Sequence, residues 1–111
     1  MKKSVLSAAN FHQQKHYYNE DDYSSLPEDV KKELKQVVVY LAEKVHGTVS
    51  VGFYEDGNVF IECFAEEGDL EYDSIGAKLE IDRMARKRRQ LFNALSVWYK
   101  VFKLGGKGLK I

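Results

Sequence analysis

The chain has 111 residues, 44% hydrophobic and 13% aromatic, with seventeen Lys/Arg against seventeen Asp/Glu. That length holds one domain with a small core, and the apolar content is too high for a disordered chain. No apolar run reaches the ~18 residues that cross a bilayer, and the one cysteine, Cys63, cannot close an internal disulfide, so a soluble cytoplasmic protein with no membrane partner is expected.

MKKSVLSAANFHQQ starts with two lysines, but its apolar stretch is short and broken by serines, so it is a poor signal peptide. Residues 1–24 form an irregular segment in which SVLSAA, 4–9, is a candidate edge strand and NEDDYSS, 19–25, reads as a polar connection. A helix is predicted over 26–45. Ser25 and Glu28 have capping-box spacing around Pro27, and Val30, Leu34, Val37, Val38, Leu41 and Val45 fall on one face. Gly47 supplies the stop.

Residues 48–54 and 58–65 then form a hairpin around Asp56-Gly57. A two-residue turn would set Phe53 opposite Phe60. A three-residue loop, Glu55-Asp56-Gly57, instead gathers Val49, Val51, Phe53, Val59, Ile61 and Cys63 on one face. Register follows the buried face, so the second arrangement is expected. Its outer face receives Tyr54 and still carries Phe60 and Phe64 one strand-repeat apart, and these two phenylalanines call for a cover: the N-terminal segment or another subunit.

An acidic link, EEGDLEYD (66–73), leads to a long helix predicted over 74–103, with Asp73 or Ser74 as its N-cap and residues 104–111 as a flexible tail. Ala77, Ile81, Met84, Leu91, Leu95, Trp98 and Phe102 follow one stripe, flanked by Ile75, Leu79, Phe92 and Tyr99. A straight rod of that length measures roughly 45 Å, against a globule about 34 Å across. It overhangs unless it breaks or pairs with a symmetry mate, and a homodimer is expected.

Zero net charge conceals a division. Up to Asp73 there are seven Lys/Arg and fifteen Asp/Glu; from Ser74 there are ten and two. The halves either satisfy each other or offer a basic arm to an acidic partner. In RMARKRRQLF, Arg83, Arg86, Lys87, Arg88 and Arg89 spread around a continuous helix, whereas a phosphate-reading helix gathers its cations on one side. Arg88 lines up with Met84, Leu91 and Leu95, so its stem can pack while its guanidinium reaches outward. Glu80 and Asp82 are spaced to pair with Arg83 and Arg86. The expectation is a solvated helix with its arginines on water and neighbouring carboxylates. A break near Arg86, or guanidinium groups over a wide positive trench, would favour a polynucleotide partner instead.

No catalytic residue, metal ligand set or cofactor emerges. His12 and His16 would share a face only on a helix, and Gln13 stands where a metalloprotease motif has glutamate. A third zinc ligand would have to come from His46, Cys63 or a carboxylate. Cys63 reads as an inert buried thiol, GGKGLK lacks the earlier glycine and the Ser/Thr of a phosphate loop, and the acidic link lacks the alternation of a calcium loop.

The segments HYYNEDDYSSLPEDVKKEL (16–34), VYLAEKVHG (39–47), FYEDGNVFIE (53–62), EYDSIGAKL (71–79) and LFNALSVWYKVF (91–102) resemble a small family of uncharacterised proteins from clostridia and related Firmicutes. The resemblance implies a bacterial cytoplasmic setting and carries no catalytic signature. The expected fold is α+β: a helix, an antiparallel hairpin of two or three strands, and a long C-terminal helix packed on the sheet. The expected function is a non-enzymatic homodimeric interaction or scaffold module that meets a further protein. Its candidate surface residues are Arg83, Arg86, Lys87, Arg89, Tyr54, Phe60, Phe64, Tyr17 and Tyr18. A nucleic-acid binder using the basic helix is the alternative. Next comes an enzyme or small-ligand binder with a pocket near Tyr17, Tyr18, His12 or His16 and Tyr72.

Overall fold

A computed structural model of the chain describes residues 3–65, 69 and 72–105. In chain order it contains β1 (Lys3–Asn10), β2 (Lys15–Tyr18), α1 (Glu20–Ser24), α2 (Glu28–Val45), β3 (Thr48–Tyr54), β4 (Val59–Phe64), α3 (Ser74–Lys87) and α4 (Arg89–Phe102). The strands make one antiparallel sheet in the order β2-β1-β3-β4. The α+β class stands, with four strands where two or three were expected.

The hairpin has the three-residue loop. Val49 faces Cys63, Val51 faces Ile61 and Phe53 faces Val59, while Tyr54 and Asn58 close the loop and Gly57 takes φ +93°. Only that register puts the apolar alternation of both strands on one side, where helices can cover it. Val49, Val51 and Phe53 are fully buried there.

Residues 3–24 carry more regular structure than expected. β1 is not an edge strand: it lies inside the sheet, paired with β2 on one side and β3 on the other, with a bulge at Leu6 that turns this side chain into the core. Small Ser7 and Ala9 fill the tight space beneath the helices, which is why β1 looked weakly apolar. The polar connection is a short helix, α1: the Asn19 side chain accepts from the Asp22 N–H, three acids occupy the first turn, and Tyr23 anchors it. Ser25 therefore terminates α1 instead of capping the next helix. The latter begins at Glu28, after an extended Pro27 and without a side-chain cap.

At the far end of α2, His46 and not Gly47 takes the left-handed conformation. Glycine is required at 47 for closeness, since a Cβ there would lie 2.4 Å from the Phe64 carbonyl oxygen. Along α2, Leu34, Val37, Val38, Leu41 and Val45 are buried, and the helix packs across β1 and β3 with α3 beside it.

The predicted rod is interrupted. Arg88, at φ −110° and ψ 30°, ends α3 by donating its N–H to the Met84 carbonyl, and its own carbonyl begins α4 by accepting from Phe92. No glycine or proline causes the break. It lets α4 seat Leu91, Leu95 and Trp98 in the core, with Trp98 and Tyr99 at 5.9 and 4.6 Å from the Phe53 ring, while Arg88 reaches Glu33 on α2 at 3.2 Å. The molecule itself measures 47 × 26 × 25 Å, so overhang gives no reason for a dimer. The seam also frays: Ile75, Leu79 and Phe102 are 75%, 60% and 68% exposed. The Asp73 cap is present, its carboxylate accepting from the Ile75 N–H at 3.1 Å. Of the acidic link, residues 66–68, 70 and 71 lie outside the described residues, as do 106–111 of the expected tail.

Helices cover one face of the sheet. On the other, Phe60 folds over Gly52 and is buried beneath the Lys3 ammonium, 5.3 Å from its ring, while Lys3 pairs with Glu62. The N-terminal strand is thus the cover for Phe60, and Phe64 stays half exposed.

Candidate functional site

The residues singled out in the sequence fall into three places. Tyr54, Phe60, Phe64 and Tyr17 share the open face of the sheet, with Tyr17 tethered through its hydroxyl to Gln13. Tyr18 points to the helix side instead, its ring 4.7 Å from Tyr23 and 5.5 Å from His16. Arg83, Arg86, Lys87 and Arg89 are exposed at the joint between α3 and α4.

At that joint Arg83 pairs with Glu80 at 3.3 Å, whereas Arg86, Lys87 and Arg89 have no ion pair among the described residues. On α3, turning 100° per residue, Arg83, Arg86 and Lys87 occupy about 100° of arc. That grouping would be the same on a continuous rod; the interruption re-aims only Arg89, which begins α4. Beside them a groove of about 450 Å³ runs between α2 and α3, lined by Lys87 and Arg88 but also by Glu43, Tyr40 and Met84. It is mixed in charge and partly apolar, not a positive trench. The divided halves of the chain do meet, through Arg88–Glu33 at 3.2 Å and Lys103–Asp22 at 2.6 Å.

A different feature is a strongly apolar groove. Leu26, Pro27 and Val30, at the start of α2, face Ala94, Val97, Trp98, Val101 and Phe102 of α4 across a groove of about 220 Å³. Val97, Val101 and Phe102 are 50%, 43% and 68% exposed, and the buried Trp98 indole N–H has no acceptor among the described residues. A contiguous exposed apolar patch on a small domain marks an interaction site more often than a scattered side chain does. Sequence reasoning missed this groove because it assigned Trp98 and Phe102 to a single hidden seam. The signal was present: Ala94, Val97 and Val101 form a second stripe at helical spacing beside it.

The histidines do not assemble. His12 sits in the β1–β2 turn with its ring 3.0 Å from Asp69, while His16 lies in a strand with Nε2 2.6 Å from the Ser7 hydroxyl. Ser7 is fully buried, so this pair fixes a ring and offers no accessible nucleophile. Burial, and then the Lys35 cation, hold His16 below the ordinary imidazole range. Cys63 faces the helices, half-buried, and burial pushes its thiol up to about 11, far from a reactive thiolate. Among the described residues no group of three His, Cys, Asp or Glu is placed to hold a metal ion, and no helix is long and apolar enough to cross a membrane.

The profile of a family described as a family of unknown function, DUF6145, matches residues 3–107. No curated protein and no solved structure matches the chain.

Proposed function

The chain belongs to that family of unknown function, and we propose that it serves as a non-enzymatic, cytoplasmic interaction module that self-associates through the groove between α2 and α4. The observation that carries this reading is the exposed stripe of Val97, Val101 and Phe102 beside Leu26, Pro27 and Val30. A second copy is a fitting occupant because the groove's surroundings differ in sign at its two ends. Exposed Asp21 and Asp29 lie toward the start of α2, where Lys103 of the α4 end is already neutralised by Asp22 at 2.6 Å, and exposed Arg86 and Arg89 lie toward the start of α4. A two-fold axis across α4 would set the acidic end of one copy against the basic end of the other, and self-complementary patches are what such axes require. A further protein could then meet the open sheet face.

Sedimentation velocity across a concentration series tests the self-association. Wild-type protein is expected to dimerise at micromolar concentration, and Val97→Glu/Val101→Glu to sediment as a folded monomer with an unchanged circular dichroism spectrum. A wild type that stays monomeric at millimolar concentration ends the proposal.

A second reading is favoured by the exposed cations that flank the break at Arg88: Arg86, Lys87 and Arg89 have no ion pair among the described residues. Under it the joint grips nucleic acid, and a gel shift at low salt should weaken steeply as salt rises. Absence of any shift at low salt removes it.

A further inference from the structure

On the opposite flank of α2 from the α2–α4 groove, two further grooves, of about 240 and 300 Å³, open between β2 and the helices. They meet at the same two side chains: His16 of β2 and Lys35 of α2 line both. Ser7 occupies the Nε2 edge of His16 at 2.6 Å, which leaves the Nδ1 edge without a partner among the described residues. Whichever nitrogen carries the proton, the ring is oriented before any ligand arrives. Lys35 and its neighbour Lys15 are exposed and likewise have no ion pair among the described residues, unlike Lys31 at the outer wall, which is paired with Glu28 at 3.0 Å. Tyr23 sets its hydroxyl on the Lys31 carbonyl and its ring edge against His16, giving the saddle a rigid apolar wall.

We propose that this saddle, centred on His16 and Lys35 with Lys15 beside it, binds the oxyanion group of a small molecule, a carboxylate or a phosphate. The pre-oriented imidazole edge and the Lys35 cation meet where the two grooves join, with Lys15 on the wall of one of them, and a compact anion would engage the first two with Lys15 beside it. Glu43 stands in one groove and Glu20 in the other. Their charges disfavour an extended polyanion running along both grooves, so the ligand is small. Burial, and then the Lys35 cation, hold His16 below the ordinary imidazole range, and an anion seated beside both would offset the Lys35 repulsion.

The test is an amide and histidine-ring NMR titration of the full chain with sodium phosphate, and separately with sodium acetate, at constant ionic strength set by chloride. Saturable shifts confined to residues 15–18 and 31–35 are expected from at least one anion; a response to acetate alone assigns a carboxylate ligand, and to phosphate alone a phosphate. Lys35→Gln should weaken the response about tenfold while Lys35→Arg and the distant Lys87→Gln retain it. Both Lys35 variants sit on an exposed position, and unchanged amide spectra away from the saddle confirm their fold. Shifts that rise linearly without saturating, that centre on the arginines of α3, or that survive Lys35→Gln unchanged overturn the proposal. Because the Val97→Glu/Val101→Glu variant leaves the saddle untouched, it should bind the anion as the wild type does, so failure of self-association and failure of anion binding are read separately.

Discussion

At Gly52 the open face of the sheet has no room to spare. A Cβ there would stand 2.0 Å from the Ser4 carbonyl oxygen and 2.8 Å from the Phe60 ring. Gly52→Ala should therefore destabilise the fold by about 3 kcal/mol, the upper end for overpacking, as measured by urea unfolding. Cys63 supplies a chemical counterpart. With its thiol pushed up from 9.0 to about 11 by burial, the native protein at pH 8 should react with a thiol reagent about a hundredfold more slowly than the unfolded chain, because the thiolate is scarcer by that factor. The sign follows from the raised value: the buried thiol favours the fold at neutral pH, and that contribution fades as pH climbs through 9 toward 11. Both positions were partly legible in sequence. The alternation Val49, Val51, Phe53 fixed the side of the sheet on which Cys63 lies, because a slip by one residue would have turned all of them to water. Nothing local announced that Gly52 bears the Phe60 ring, since that contact depends on the pairing of two strands.

Among the elements, caps separate what could be read from what could not. Asp73 accepts from the Ile75 N–H as its position before a helical pattern suggests, and Asp73→Ala should cost about 1 kcal/mol in urea unfolding. Ser25 has equally good spacing to Glu28, yet its hydroxyl donates back to the Asp21 carbonyl and closes α1. Ser25→Ala is accordingly expected to cost less than about 0.5 kcal/mol by the same measurement. The two sites looked alike because capping motifs report local chemistry, while the five-residue α1 owes its place to Tyr23 reaching the core. The same limit hid the break at Arg88. Helix periodicity runs through residues 74–103 without a breaker, and what interrupts it is tertiary: α4 turns to follow the hairpin and Arg88 finds Glu33. β2, with only four residues, was too short for any periodicity to declare itself.

For the molecule as a whole, apolar contact outweighs the opposition of charged halves. Among the described residues the two ion pairs that cross the divide are part-exposed, with side chains 43% and 13% accessible at Lys103–Asp22 and 38% and 36% at Arg88–Glu33. Such pairs contribute little, so screening them with salt should lower stability by less than about 1 kcal/mol. By contrast Leu41, fully buried where α2 meets the sheet, should cost about 3 kcal/mol when cut to alanine. One more contact bears on how the parts come together. The Ser96 hydroxyl donates to the Gly57 carbonyl at 2.8 Å across 39 positions of chain, and Lys100 lies against the same glycine. The turn thus acts as a latch: Leu91, Leu95 and Trp98 seat the final helix in the core, and the Gly57 carbonyl pins its outer side to the hairpin through a contact whose loop closure is entropically costly.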